Sequence, residues 1–278
     1  MILSSHGVIA SQIQSFVGLL DTYPNAAVAY SLRKLRTLYT GNAIRVRRSS
    51  DNTETDIGFS GANLDTSSLT SFCGSGNGFV TTWYDQSGNG NNATQSTAAN
   101  QPQIVSAGSV ILKNSKPSVN FDGSNDFFSL SSSIATSTNY SFFSAAYNES
   151  NANGDTYMSG GSGSAQFIAD LSGATGNIFI IKTFVALIIS GTITKDRFNL
   201  NTFFTLNSAN SLYTNGSLAN SNTSTPSFSN PITTIGRNNA GISEYYLNGI
   251  SEMILYSSNQ SSNRTGIETN INTYYAIY

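Results

Sequence analysis

Chemistry in this chain has to come from a short list of side chains. The 278 residues hold one histidine (His6), one cysteine (Cys73) and one tryptophan (Trp83), alongside 15 carboxylates. A single histidine in the N-terminal segment leaves Ser-His-Asp and Cys-His nucleophilic catalysis without material. A lone cysteine excludes an intrachain disulfide and any zinc cluster of the CxxC type. Carboxylate, amide, hydroxyl and aromatic chemistry remain, and the run Trp83-Tyr-Asp-Gln-Ser-Gly-Asn-Gly-Asn-Asn-Ala-Thr94 concentrates them. Phe79 to Tyr84 are all β-branched or aromatic and favour a pleated, half-buried strand. Asp85 and Ser87 bond their own backbone, and Gly88 and Gly90 permit positive φ, so the strand stops there. Its end delivers an indole, a phenol, a carboxylate and an amide to a tight loop. That set suits a sugar, whose ring C–H groups pack on aromatic faces while short polar side chains bond its hydroxyls. The competing reading puts Trp83 in the core and has Asp85 tie the turn.

The elements that must position this loop are strands. Charged residues make up only 10% of the chain, against roughly 25% in an average globular protein. Ser, Thr, Asn and Gly take their place, and 14 Tyr with 16 Phe suffice for a substantial core. A net charge of −2 gives no global field for nucleic acid. Six of the thirteen basic residues nevertheless fall between Arg33 and Arg48; they read as two solvated faces, with an anionic partner or a subunit contact as the alternative. No membrane span is evident: the most apolar run, Ile178 to Ile189, is too short, carries Lys182, and reads as one or two buried strands.

In order, residues 1–20 lack the basic start of a signal peptide yet carry Ile2, Leu3, Val8, Ile9, Ile13, Phe16, Val17, Leu19 and Leu20. They are expected to form a docking arm buried between subunits, with residues 21–278 a single sandwich domain. Pro24 is expected to start a helix that Gly41 ends, with Leu32, Leu35 and Leu38 on one face and Arg33, Lys34 and Arg36 outward. Ala43 to Arg48 alternates as a strand. Further strands are expected near Ile104, on both sides of Asp122-Gly123, and at Tyr140–Tyr147, Gln166–Ala169, Phe203–Leu206, Ser211–Thr214, Ile232–Ile235 and Tyr245–Tyr256. Asn215-Gly216 signals a type I′ hairpin. Ile267, Ile271, Tyr274 and Tyr275 lie at helical spacing, which predicts a short C-terminal amphipathic helix closing one edge of the sandwich. Many short strands between Gly/Asn/Ser turns define an all-β sandwich or jelly roll with a short helix near each end. Asp122, Asn125 and Asp126 offer oxygen ligands for calcium, or an ordinary hairpin turn, and the turn is the preferred reading.

Two blocks carry a resemblance. The run from Ala29-Tyr-Ser-Leu-Arg-Lys-Leu-Arg through Arg47-Arg-Ser-Ser-Asp-Asn-Thr-Glu, Phe72-Cys73 and Tyr84-Asp-Gln-Ser-Gly-Asn-Gly-Asn resembles the catalytic domain of the arabinofuranosidase B family. Val119-Asn-Phe-Asp-Gly-Ser-Asn-Asp-Phe, Leu212-Tyr-Thr-Asn-Gly, Ile235-Gly-Arg and Tyr246-Leu-Asn-Gly-Ile-Ser-Glu are similar to laminin G-like sandwiches. The resemblance implies a concanavalin A-like jelly roll. It also implies that Asp170 matches a substrate-binding aspartate, that Ser172 stands where the family has its nucleophilic glutamate, and that Asn238 stands where it has its acid/base aspartate. The family's vicinal cysteine pair is absent, and Gly78 takes the place of a partner for Cys73. Retaining glycosidases need two carboxylates about 5 Å apart, so this pattern implies a dismantled active site.

In opening segment and length the chain also resembles virion structural proteins of Bacteroidetes phages. The expected function is accordingly a non-enzymatic virion spike, fibre or decoration subunit at the virion surface, without cofactors. Its expected partners are host-surface glycan, held by Trp83, Asp85, Asp170 and Asn238, and other virion proteins, reached through residues 1–20. A homo-oligomer, a trimer for a fibre, goes with that role. The alternatives are a secreted carbohydrate-binding module and an active arabinofuranosidase with displaced catalytic residues.

Overall fold

In the computed structural model the described residues are 16–134, 139–148, 155–160, 166–170, 178–183, 186–194, 196–207, 209–223, 231–238 and 245–278. The architecture is the expected concanavalin A-like β-sandwich. Its first layer is built on the Leu247–Tyr256 strand, which pairs antiparallel with Val28–Ser31 and Val119–Asp122 on one side. On its other side lie Asn139–Asn148, Arg197–Leu206, Ala209–Thr214 and Ser217–Asn222 in turn. The second layer runs from Glu54–Ile57 through Ile44–Arg48, Gly78–Trp83, Ala93–Thr94, Phe128–Ile134, Ile232–Ile235, Asp155–Gly160, Gln166–Asp170 and Ile178–Thr183 to Ala186–Thr192. Gln103–Ser106 links the layers by pairing with both Asn120 and Gly78. Between them lies the main core, where Val119, Phe121, Phe142 and Leu255 meet Val46, Val80, Trp83, Phe128 and Ile235. Asn215 and Gly216 have φ of 51° and 76°, the left-handed pair that a type I′ hairpin requires.

The central strands of the first layer do not alternate in burial: the interiors of Arg197–Leu206 and Leu247–Tyr256 are buried at every position. Both faces are covered. Three α-helices are present among the described residues: α1 (Leu19–Thr22), α2 (Thr66–Cys73) and α3 (Arg264–Tyr275). Leu19 and Leu20 of α1 and Ile267, Ile271 and Tyr275 of α3 join Phe143, Phe198, Leu200, Phe204, Ile254 and Tyr256 in a second core on the outer face. The C-terminal helix therefore exists with the expected apolar stripe, but it covers a face of the sheet rather than an edge. The boundary drawn at residue 20 falls inside α1, whose leucines belong to this outer core; residues 1–15 lie outside the described residues. No described helix is long and apolar enough to cross a membrane.

The helix expected between Pro24 and Gly41 is not there. Residues Val28–Ser31 form a strand buried on both sides, and the chain then makes a turn-rich crossing up to Gly41. The backbone groups of this stretch find tertiary partners in place of i−4 carbonyls. Ala27 N donates to Leu255 O, Leu32 N to Ser251 O, Lys34 N to Ala62 O and Leu35 N to the Gln86 amide oxygen. The helical spacing of the leucines is a coincidence: Leu32 lies in the main core, Leu35 in the outer-face cluster, and Leu38 is 85% exposed. Arg33 is correspondingly buried, not outward, and forks onto Glu252 through Nε (2.7 Å) and Nη2 (2.9 Å). Of the other arginines in the cluster, Arg45 pairs with Glu54 and Asp56, Arg48 with Asp51, Arg47 with Gln101, and Arg36 donates to Ser87 O.

Candidate active site

The loop after Trp83 is held by its own polar side chains. Asp85, only 4% exposed, accepts from Ala29 N and Ser87 N at 2.9 Å each, from Asn91 N at 3.1 Å and from Ser87 Oγ at 2.7 Å. Four donors occupy both carboxylate oxygens, which satisfies a buried charge as burial demands. Gln86, fully buried, donates to Ser31 O and Arg33 O while accepting from Leu35 N. The Asp-Gln pair thus supplements the ladder of Val28–Ser31 and supplies partners to the irregular backbone that follows it. What the loop shows to solvent is Ser87 and Asn89, beside Arg36, in a recess of about 350 Å³. Asp85 is a structural carboxylate with no lone pair left for a ligand.

Trp83 is fully buried, between Tyr30 (centroids 5.9 Å) and Phe128 (6.4 Å). It therefore offers no face to a sugar and is corrected from platform to core. Its ring begins a buried aromatic series: Phe128 meets Phe121 at 5.8 Å, Phe121 meets Tyr246 at 5.7 Å, and Tyr246 meets Tyr157 at 5.0 Å. The series ends where the other two expected site residues lie.

Ile235 pairs with Met158, and Met158 with Phe167. Two strands antiparallel to a common neighbour run the same way, so Asn238 and Asp170, each three residues further on, end at the same level. The 155–160 strand separates them, about 10 Å from backbone to backbone. Asn238 is 6% exposed, and of Asp170 the backbone alone is described. Ser172 lies outside the described residues. The register thus brings Asp170 and Asn238 together and leaves Trp83 and Asp85 in the core and its adjoining loop. It also brings in Asp155, which opens the intervening strand opposite Ala169; nothing in its local sequence singles it out.

The turn after Phe121 adds a fourth member. Asp122 Oδ1 accepts from Ser124 N, Asn125 N and Asp126 N, so this oxygen is spent on the turn. Among the described residues no group of three His, Cys, Asp or Glu is placed to hold a metal ion. Asp126 Oδ2 accepts from Asp122 N at 3.0 Å, and its residue is 6% exposed. Burial, with the neighbouring Asp122 carboxylate second, pushes the Asp126 carboxyl up to about 7. Phe128 pairs with Ile235, so Asp126 is level with Arg237, whose guanidinium lies 3.6 Å from the Phe127 ring centroid. Gly236, at φ +85°, lets the turn close in: a Cβ there would lie 3.3 Å from Asp126 O and 2.4 Å from the Phe121 ring. Three aspartates and Asn238 therefore share one end of the second layer.

The class is thus a jelly-roll β-sandwich with a carboxylate-bearing sheet end, and comparisons with known proteins narrow it. The family model described as alpha-L-arabinofuranosidase B, catalytic, matches residues 21–141. Probable alpha-L-arabinofuranosidase B of Aspergillus flavus and alpha-L-arabinofuranosidase B of Aspergillus oryzae are each 36% identical over 96 residues, 32% of this chain. The match spans 19% of the length of each of those relatives. An arabinofuranosidase solved with arabinofuranosyl-alpha-1,2-xylobiose superposes with a TM-score of 0.71 at 16% identity, over 88% of this chain and 62% of that one. A GH54 arabinofuranosidase soaked with a cyclic sulfate inhibitor gives 0.71 at 18%, over the same shares of the two chains. These likenesses show a shared fold.

They also correct the functional expectation. A non-enzymatic virion spike, fibre or decoration subunit is overturned by a match to an arabinofuranosidase catalytic model and to arabinofuranosidases by name; the arabinofuranosidase alternative is the better supported. The expectation of a dismantled site fails for an identifiable reason. Ser172 and Asn238 lie beyond residues 21–141, so their pairing with catalytic carboxylates rests on short runs outside the matched segment. The Cys73 pairing lies within it, and the structure sets Cys73 Sγ 2.7 Å from where a Cβ on Gly78 would sit.

Proposed function

We propose that this chain is a glycoside hydrolase domain that releases α-L-arabinofuranosyl groups. The observation that carries this reading is the coincidence of two facts: the catalytic model covers the segment that builds the Asp85–Gln86 loop, and the sandwich superposes on arabinofuranosidases over most of the chain. The site is the end of the second layer where Asp126, Asp155, Asp170 and Asn238 converge in register. Glycoside hydrolysis asks for one carboxyl that gives a proton to the leaving oxygen and one carboxylate that stabilises or captures the sugar cation. Three aspartates supply both kinds without histidine, cysteine or metal ligands. The amide of Asn238 suits a sugar hydroxyl, to which it both donates and accepts.

The test is release of 4-nitrophenolate from 4-nitrophenyl α-L-arabinofuranoside, and of arabinose from arabinofuranosyl-substituted xylo-oligosaccharides. Turnover above buffer, lowered at least about a hundredfold in Asp170→Asn, is expected. Wild-type protein that neither cleaves these compounds nor binds them in calorimetry would overturn the proposal.

A further inference from the structure

We propose that Asp126 is the proton donor of this site. The inference rests on the hydrolase reading above and goes beyond it by naming the residue that protonates the leaving group. Four observations converge on it. First, Asp126 sits level with Arg237 at the sheet end that gathers Asp155, Asp170 and Asn238. Second, Gly236 lets the 122–126 turn close onto the 236–238 segment, and Arg237 is laid over Phe127, so the turn is fixed against the site rather than free. Third, the carboxyl is used on one side only. Its Oδ2 accepts from Asp122 N, while among the described residues no group donates to Oδ1. Asp85, with four donors, is the contrast: that carboxylate is consumed by structure.

The fourth observation is protonation. A general acid must hold its proton near the working pH, and burial with a like charge nearby is how a carboxyl does so. Asp126 has both, with Asp122 in its own turn as the like charge and Arg237 as the charged group on the segment packed against it. Glu268 is the other described carboxyl raised by burial, but it lies on α3 in the outer core and accepts from Arg264. It is ion-paired on the opposite face of the first layer, away from this site.

The step balances with water as the sole co-reactant. Asp126 gives its proton to the glycosidic oxygen as the C1–O bond breaks, and that bond's electron pair goes to the leaving oxygen. Water then adds to C1 of the arabinofuranosyl cation. The proton lost by that water returns to the Asp126 carboxylate, which regenerates the acid.

The test uses the full chain and the variants Asp126→Asn and Asp126→Glu, with two arabinofuranosides of opposite leaving-group quality. An alkyl arabinofuranoside needs protonation to depart, whereas the 2,4-dinitrophenyl compound does not. Asp126→Asn should lose on the order of 10²–10⁴-fold in kcat on the alkyl substrate, keep most activity on the dinitrophenyl one, and lose the basic limb of the pH profile. Asp126→Glu should recover part of the first activity. Equal loss on both substrates would mean a structural turn residue and would overturn the assignment, as would no loss on either. If the wild type fails on both compounds and does not bind an arabinofuranose-configured iminosugar, the hydrolase reading and this one fall together. Wild-type activity with an indifferent Asp126→Asn removes this one alone.

Discussion

Asp85→Ala offers the sharpest test of how this molecule is held. The substitution removes the acceptor of Ala29 N, Ser87 N, Asn91 N and Ser87 Oγ at once. Ala29 and Asn91 are 0% and 7% exposed, so water does not readily replace the carboxylate at their amides. Each buried donor left unpaired costs about 1–3 kcal/mol, and the two together with the Ser87 bonds sum to about 3–6 kcal/mol. For a chain of this size that is a midpoint shift on the order of 10 °C. Asp85→Asn keeps the Oδ1 bonds to Ala29 and Ser87 but turns an amide toward Asn91 N, and should lose roughly half as much. Calorimetric melts of the three proteins, with urea titrations to check that the m-value is unchanged, read the effect. A midpoint within about 2 °C of wild type for Asp85→Ala, especially with loss of ligand binding, would refute the structural role and return Asp85 to the ligand.

Four other outcomes are expected. Arg33→Met should cost about 3–5 kcal/mol because it strands the Glu252 carboxylate, 1% exposed; adding Glu252→Gln should recover much of that, as a double-mutant cycle will show. The Asp126 carboxyl has its folded pKa raised to about 7 from an ordinary value of 3.8, so its contribution to stability is full below about pH 4 and lost as pH rises through about 7. Asp126→Asn should flatten that part of the melting profile, and parallel profiles for the two proteins would contradict it. Gly78→Cys should close a disulfide with Cys73 on oxidation and add about 2 kcal/mol, detected as a midpoint gain that dithiothreitol abolishes. Leu19→Ala should cost about 2–5 kcal/mol, read as a lowered melting midpoint, since Leu19 is 1% exposed in the outer core.

The parts of the fold written in local sequence were legible. Asn215-Gly216 specifies its hairpin through two left-handed residues, and Ile267, Ile271 and Tyr275 mark one face of α3. The many short strands between turns give the sandwich. The Val28–Ser31 strand was not legible, because its backbone partners are Leu255, Ser251 and side chains of Asp85 and Gln86, far away in sequence. Burial on both faces erased its alternation and left a leucine spacing that mimics a helix. Asp170 and Asn238 were named through resemblance, and the strand register places them at one sheet end. Trp83 and Asp85 were chosen for chemistry that burial had already claimed. The placement of Asp126 was hidden because Asp-Gly-Ser-Asn-Asp looks like a turn, and is one; its position beside Gly236 exists only after the strands around it have paired.

The way the first layer is closed sets an order of events. Val28–Ser31 has its ladder partner at Glu252–Leu255, and the Arg33–Glu252 hydrogen bond spans 219 residues. Leu19 and Leu20 are likewise covered by α3, the last helix. During synthesis the edge of this early strand that faces Glu252–Leu255 must wait, open, until residues 247–256 have left the ribosome. Contacts of such separation make folding slow, and a nascent chain halted before residue 250 carries an open strand edge that invites association with its neighbours. Chaperone demand in this protein should therefore track the time between emergence of residues 28–35 and of residues 247–256, rather than the stability of the finished sandwich.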